Sequence, residues 1–150
     1  MNKPSASTKI LILIAGILGM TSCSQAEVHK LITIADARTN AAKIIDLGEA
    51  ADSVGDIVVF DQPLLNEQGK NIGNNSGTCI RTRVAHSSQC QWTLVMENGS
   101  IQVAGREFDK TTSKIAIVGG TGIYAGITGQ MESTNNDDGT FTQTLHYWIR

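Results

Sequence analysis

Apolar and polar residues alternate along most of the chain in short runs broken by turn-formers, the signature of strands with one buried face. In SIQVAGREF, Ile101 and Val103 alternate with Gln102 and Ala104. Asn98-Gly99 separates this run from QWTLVME, and Asn-Gly between strand-like runs is the strongest short-range hairpin signal. Asp138-Gly139 marks another tight turn, joining GQMEST to TFTQTLHYWI, whose threonines and aromatics predict a strand. Further strands are predicted in VHKLITIAD from Val28, GDIVVFDQPLL from Gly55, GTCIRTRVA from Gly77 and SKIAIVG from Ser113. Pro63 falls near the end of its run, where one lost ladder donor is tolerated. NIGNNSG, from Asn71 to Gly77, reads as a polar turn, and NNDDG near Asn135 as a solvated hairpin tip. Thr39–Val54 is ambiguous: its Ala, Ile and Leu fit a helix face, but Gly48 and the acidic cluster favour a short helix or an irregular strand.

Such strands, joined mostly by hairpins, make an antiparallel all-β sheet. Closure into a barrel would remove the exposed edges that an open sheet must protect. A two-sheet sandwich satisfies the same periodicity, so the pattern alone leaves both open.

One apolar stretch stands apart. Lys3 and Lys9 precede ILILIAGILGM, Ile10 to Met20, which matches the apolar region of a signal peptide and is too short for a bilayer span of roughly 20 residues. Residues 1–26 are therefore expected to be an export signal with two processing outcomes open, one of them cleavage after the small-x-small Ser24-Gln25-Ala26. The competing outcome is a lipoprotein signal over residues 1–22: Met20-Thr21-Ser22-Cys23 resembles a lipobox, and Cys23 would carry the lipid. Either way the folded domain is expected to span residues 27–150 and to be exported, as a periplasmic or outer-membrane lipoprotein or as a secreted protein. Membrane contact is expected only through such an anchor.

At 150 residues the chain suits one domain, and its net charge of -2 argues against a dedicated nucleic-acid partner. With Cys23 lipidated or discarded, Cys79 and Cys90 are left as an even pair in a compartment that permits disulfides. They flank a predicted turn at Ala85–Ser88, so a bridge across neighbouring strands is expected, the alternatives being two buried thiols or one cavity-facing thiol. No Cys-x-x-Cys or His-rich spacing points to a metal, and no cofactor is expected.

VGGTGIYAG, Val118 to Gly126, invites a dinucleotide-binding reading, because glycines let a backbone approach a pyrophosphate. The chain beyond Gly126 reads as a hairpin and is too short for the helix and further strands such a fold needs. The glycines are better explained by a turn and a close strand crossing. No Gly-x-Ser-x-Gly elbow supports a serine hydrolase.

GDIVVFDQPLLNE (Gly55–Glu67), KNIGNNSGTCI (Lys70–Ile80), GSIQVAGREF (Gly99–Phe108) and KIAIVGGTGIYAGITGQ (Lys114–Gln130) together resemble the allene oxide cyclase and dirigent superfamily, the cyclase branch more closely. The resemblance implies an eight-stranded antiparallel β-barrel with an apolar cavity, and a homo-dimer or trimer, since plant members are commonly trimeric. It also implies catalysis by positioning: plant cyclases hold a fatty-acid epoxide in one conformation, and dirigent proteins steer the coupling of phenolic radicals. On this likeness Cys79 and Phe60 line the cavity. Gln62 stands where plant cyclases have a water-binding Asn, and Glu107 replaces a cavity Tyr. The first strand, LITIADARTNAA, lacks the Glu and Pro of the plant motif.

Gln62 and Glu107 are accordingly the candidate catalytic residues, and Phe60, Cys79 and Arg81 the candidate substrate-binding ones. Glu107 could be a cavity acid with a pKa raised by burial, or a solvated strand-end carboxylate. Arg81 shares a face with Cys79 on a regular strand and could bind a substrate carboxylate, or simply be solvated. Trp92 and Tyr147 read as barrel packing or subunit contacts, the alternative being ligand platforms. The expected activity is that of an isomerase or cyclase working by conformational templating on an apolar or amphipathic small molecule. The alternatives are a non-catalytic dirigent-like carrier and a structural envelope protein.

Overall fold

The computed structural model describes residues 27–150, so the expected leader and Cys23 lie outside the described residues. The strands are β1 (His29–Asp36), β2 (Lys43–Ile45), β3 (Ile57–Leu65), β4 (Asn71–Arg83), β5 (Ser87–Met96), β6 (Gly99–Phe108), β7 (Ser113–Gly120), β8 (Ile127–Asn135) and β9 (Thr140–Ile149). They form one antiparallel sheet in the order β1-β9-β8-β7-β6-β5-β4-β3-β2. Ile34 and Ala35 of β1 pair back onto Leu65 and Leu64 of β3. This closes the eight longer strands into a barrel and decides against the sandwich. Strand β2 pairs with Ile57–Val59 of β3, further along the edge that β1 uses.

The hairpins form where turn residues predicted them, with local shifts. Met96 pairs with Gly99, so Glu97 and Asn98 make the turn and Gly99 already belongs to β6. Gly99 has φ +152° and lies against the Thr121 carbonyl, where a Cβ would collide. A Cβ on Gly122 would likewise meet the Asn98 carbonyl. Thr121 N–H donates to Ser100 O at 2.8 Å and Ile123 N–H to Asn98 O at 3.0 Å. The glycine-rich run is thus a close crossing of loop over hairpin, with a single 3-10 turn at Gly122–Tyr124.

Two segments depart from their sequence readings. NIGNNSG is not a turn: it is the first half of β4, in register with both β3 and β5. Its polar side chains satisfy a turn pattern equally well, but the chain reverses earlier, where Asn66 Oδ1 accepts from Gln68 N–H at 3.0 Å and Lys70 N–H at 2.9 Å. Thr39–Val54 holds only the three-residue β2, and no helix. The Asp56 carboxylate accepts from Leu47 N–H at 2.9 Å, Ser53 N–H at 2.7 Å and Ser53 Oγ at 3.0 Å, folding residues 47–56 into a loop around one buried acid. These bonds hold the Asp56 pKa below the usual carboxylate value.

Alternation sends every second residue inward, and the interior divides in two. Near the β5–β6 hairpin, Leu64, Leu94, Ile101, Met131 and Leu145 have no solvent exposure and form a solid apolar plug. At the opposite end the inward positions are Gln62, Asn75, Cys79, Cys90, Trp92, Glu107, Ser133 and Gln143, a mixed set around an open space.

Candidate functional site

The open half of the barrel holds a cavity of about 270 Å³. Val58, Phe60, Trp92 and Phe141 supply apolar walls, and Ala35, Ala37 and Ala42 leave its β1–β2 side uncrowded. A second recess of about 230 Å³ shares Val58, Cys79, Glu107 and Phe141 with the first and continues past Ser88 and Asp109. The four shared residues line the junction of the inner chamber and this recess, the neck of the cavity.

Trp92 is held by local geometry. Its partner in β4 is Gly77, where a Cβ would collide with the Trp92 Cβ, so glycine opposite tryptophan lets the two strands approach. Phe60 packs edge-on against the indole, centroids 6.4 Å apart. Trp92 is 3% exposed, and among the described residues its Nε1–H is the one fully buried side-chain polar atom with no hydrogen-bond partner. Leaving such a donor unmade costs about 1–3 kcal/mol.

The other polar groups are organised. Thr33 Oγ1 donates to Gln143 Oε1 at 3.0 Å, and Gln143 Nε2 donates to Asn75 Oδ1 at 3.3 Å. This buried relay runs from β1 through β9 to β4 across the barrel. Ser133 Oγ donates to Glu107 Oε1 at 2.7 Å. Burial raises the Glu107 pKa above its ordinary value; the Ser133 bond opposes this, and the nearby Asp109 charge adds to it. A neutral Glu107 accepts from Ser133 on one oxygen and keeps a hydroxyl proton on the other, so it can donate to a bound molecule.

Cys79 and Cys90 are directly opposed in β4 and β5 and form a disulfide. The bridge lies in the wall of the neck, and its sulfurs and a Glu107 carboxylate oxygen all fall within 4.8 Å of one another.

Of the residues singled out from sequence, Phe60, Gln62, Cys79 and Glu107 line this one chamber. Arg81 does not. Its Nε contacts Asp52 and its Nη1 contacts Asp109, both at 2.7 Å, and it faces a separate recess beside Ile44 and Asp56. Asp52 also accepts from Ala85 N–H at 2.7 Å, so the guanidinium ties the 47–56 loop to the barrel rim. Trp92, which the sequence reads as packing, carries the orphaned donor. Sequence reasoning misses Asn75, Ser133 and Gln143, although the alternation of Asn75, Gly77 and Cys79, and of Phe141, Gln143 and Leu145, is available as a signal.

Solved structures similar in fold share little sequence with this chain. A pyocyanin demethylase aligns at 22% identity and TM-score 0.68, covering 81% of this chain and 99% of its own. A pterocarpan synthase dirigent protein aligns at 15% identity and TM-score 0.66, covering 84% and 96%. A Diels-Alderase from Streptomyces koyangensis aligns at 12% identity and TM-score 0.65, covering 85% and 71%. At these identities the likeness is one of fold. Among curated proteins no match was found. The family model described as Dirigent-like protein matches residues 25–150, which takes in every strand of the barrel and the whole chamber. The chain belongs to the dirigent-like family.

Proposed function

We propose that the chamber binds a compact, mostly apolar small molecule bearing a hydrogen-bond acceptor, and templates a ring closure or isomerisation of it. The observation that carries this reading is the Trp92 Nε1–H, buried in the chamber wall with no acceptor in the protein. The indole nitrogen has no accessible surface, so a ligand oxygen or ring nitrogen pairs with it only as the Trp92 ring turns toward the chamber, and that pairing recovers the cost of the unpaired donor. Glu107, whose pKa burial raises, is the second donor of the chamber in its protonated form and the group able to lend a proton to a rearranging ligand. The apolar walls contribute by restricting conformation, which alone can lower a barrier by several kcal/mol.

Size narrows the ligand. An apolar cavity of about 150 Å³ accepts benzene, so the inner chamber suits a molecule of roughly ten to twelve non-hydrogen atoms. A longer chain has to thread the neck into the outer recess. The neighbouring structures described as a demethylase, a pterocarpan synthase and a Diels-Alderase support small-molecule chemistry in such barrels. The leader pattern and the Cys79–Cys90 bridge support action outside the cytoplasm. Exposed Val59, Ile80 and Val95 on β3–β5 support self-association as a dimer or trimer.

The test is native mass spectrometry of gently purified protein, extraction of any bound compound, and re-incubation of that compound with fresh protein. A reproducible bound species that raises the melting temperature and turns into an isomer of equal mass supports a templating enzyme. Binding without turnover supports the carrier function instead. If neither an extracted compound nor a panel of aromatic and polyketide-like molecules shifts the melting curve, the ligand reading is wrong.

A further inference from the structure

We propose that Cys79, Cys90 and Glu107, once the disulfide is reduced, form a binding site for a divalent cation of the zinc class at the neck of the cavity. Three adjacent strands supply the ligands: Cys79 from β4, Cys90 directly opposite it in β5, and Glu107 from β6, two residues beyond Gly105, which pairs with Cys90. The three ligand atoms lie within 4.8 Å of one another. Two thiolates and a carboxylate around tetrahedral zinc sit roughly 3.5–3.8 Å apart, so opening the sulfur–sulfur bond moves the sulfurs toward that spacing. Cys79 and Cys90 are 7% and 2% exposed, which shields the thiolates from competing solvent.

Two further features favour a metal over a bare dithiol. Ser133 Oγ already donates to Glu107 Oε1, the outer hydrogen bond that orients a carboxylate ligand. The chamber and the recess meet at these residues, giving the cation a path in and leaving its fourth position open to water or to a molecule in the chamber. Sequence spacing hides the site, because its ligands converge by strand register and not by a short motif.

The chemistry balances with a named reductant. A phosphine attacks one sulfur and the sulfur–sulfur bond breaks; water then converts the phosphonium to phosphine oxide, and its two protons end on the two sulfurs. The cation displaces both thiol protons as the metal–sulfur bonds form. Bridge and cation therefore exclude each other. In oxidising surroundings the neck is held by a covalent bond, and in reducing surroundings by a metal.

The test is titration of the whole barrel protein with Co²⁺, before and after anaerobic reduction by a phosphine. The reduced protein is expected to bind one equivalent, with thiolate-to-cobalt charge-transfer absorption that Zn²⁺ abolishes, while the oxidised protein shows none. Cys90→Ser removes the signal, and Ser133→Ala weakens binding about tenfold through the lost outer hydrogen bond. No absorption from a folded reduced protein overturns the proposal, as does an unchanged titration in Cys90→Ser or Glu107→Gln. If reduction unfolds the barrel, stoichiometric Zn²⁺ has to restore the strand circular dichroism, and failure to do so also overturns it.

Discussion

The two halves of the barrel interior are built by the same strands with the same inward–outward alternation, yet they do opposite things. Around Leu94, Met131 and Leu145 the fully buried side chains are apolar and pack against one another, with Tyr124 and Tyr147 against their outer side. Around Trp92, Gln143 and Glu107 the inward side chains mix aromatic and polar groups with small apolar ones, and a chamber remains. The fully buried large aliphatic side chains are concentrated in the first half. The second half keeps an unpaired indole donor and an acid whose pKa burial raises, both beside the open chamber. A dirigent-like barrel can therefore vary its chemistry at one end while the other end holds the fold.

The largest expected effect breaks the packed half. Leu145→Ala should lower unfolding free energy by about 2–5 kcal/mol, the range for a fully buried leucine, read as a shifted urea midpoint. Ligand affinity of the folded variant should not change; a large loss of affinity would mean that the halves are not separable. Next is the neck. Reducing Cys79–Cys90 frees a short loop and should cost about 3 kcal/mol in the same urea experiment with the metal chelated. A cost near zero would mean that the bridge holds no part of the fold together.

Trp92→Phe has a smaller effect on stability and a selective one on binding. Losing indole contacts and losing an unpaired donor oppose each other, so stability of the free protein should move by less than about 1 kcal/mol. Affinity for a ligand that accepts from Nε1 should drop about tenfold by isothermal calorimetry. Equal affinity in the variant would show that the donor is not used.

The smallest effect is a pH dependence. Glu107 holds its proton more tightly folded than unfolded, so the folded state binds more protons. Its contribution to stability is fully present below the ordinary carboxyl pKa of 4.5 and is lost as pH rises through the higher folded value. Glu107→Gln should flatten that part of the stability–pH curve, measured by thermal melts across the acidic range. An identical slope in the variant would place the titration elsewhere.

The antiparallel strands are legible in the sequence because hairpin turns and alternation are local, whereas their closure into a barrel and not a sandwich is carried by the family likeness. The packed half is legible for the same reason: Ile101 and Val103 announce their face. The chamber is less so, because period-two alternation shows which residues share a face but not which face is inside when both are polar. Asn75 and its neighbours therefore read as a turn. Regular alternation places Arg81 on the cavity face, but its guanidinium is taken by Asp52 and Asp109, the latter only two residues from the β6 end of the neck at Glu107. Phe60, Gln62, Cys79 and Glu107 come from family likeness, which carries spatial information that periodicity lacks. The orphaned Trp92 donor depends on three-dimensional packing with no sequence counterpart.

The central claim is that the open half is a ligand chamber completed by an acceptor for Trp92. The direct measurement is a ¹H–¹⁵N spectrum of the indole resonances of Trp92 and Trp148, with and without the compound recovered from the protein. The account predicts a downfield shift confined to the Trp92 Nε1–H on binding, with Trp148 unmoved. A bound compound that leaves the Trp92 indole resonance where it was would contradict it.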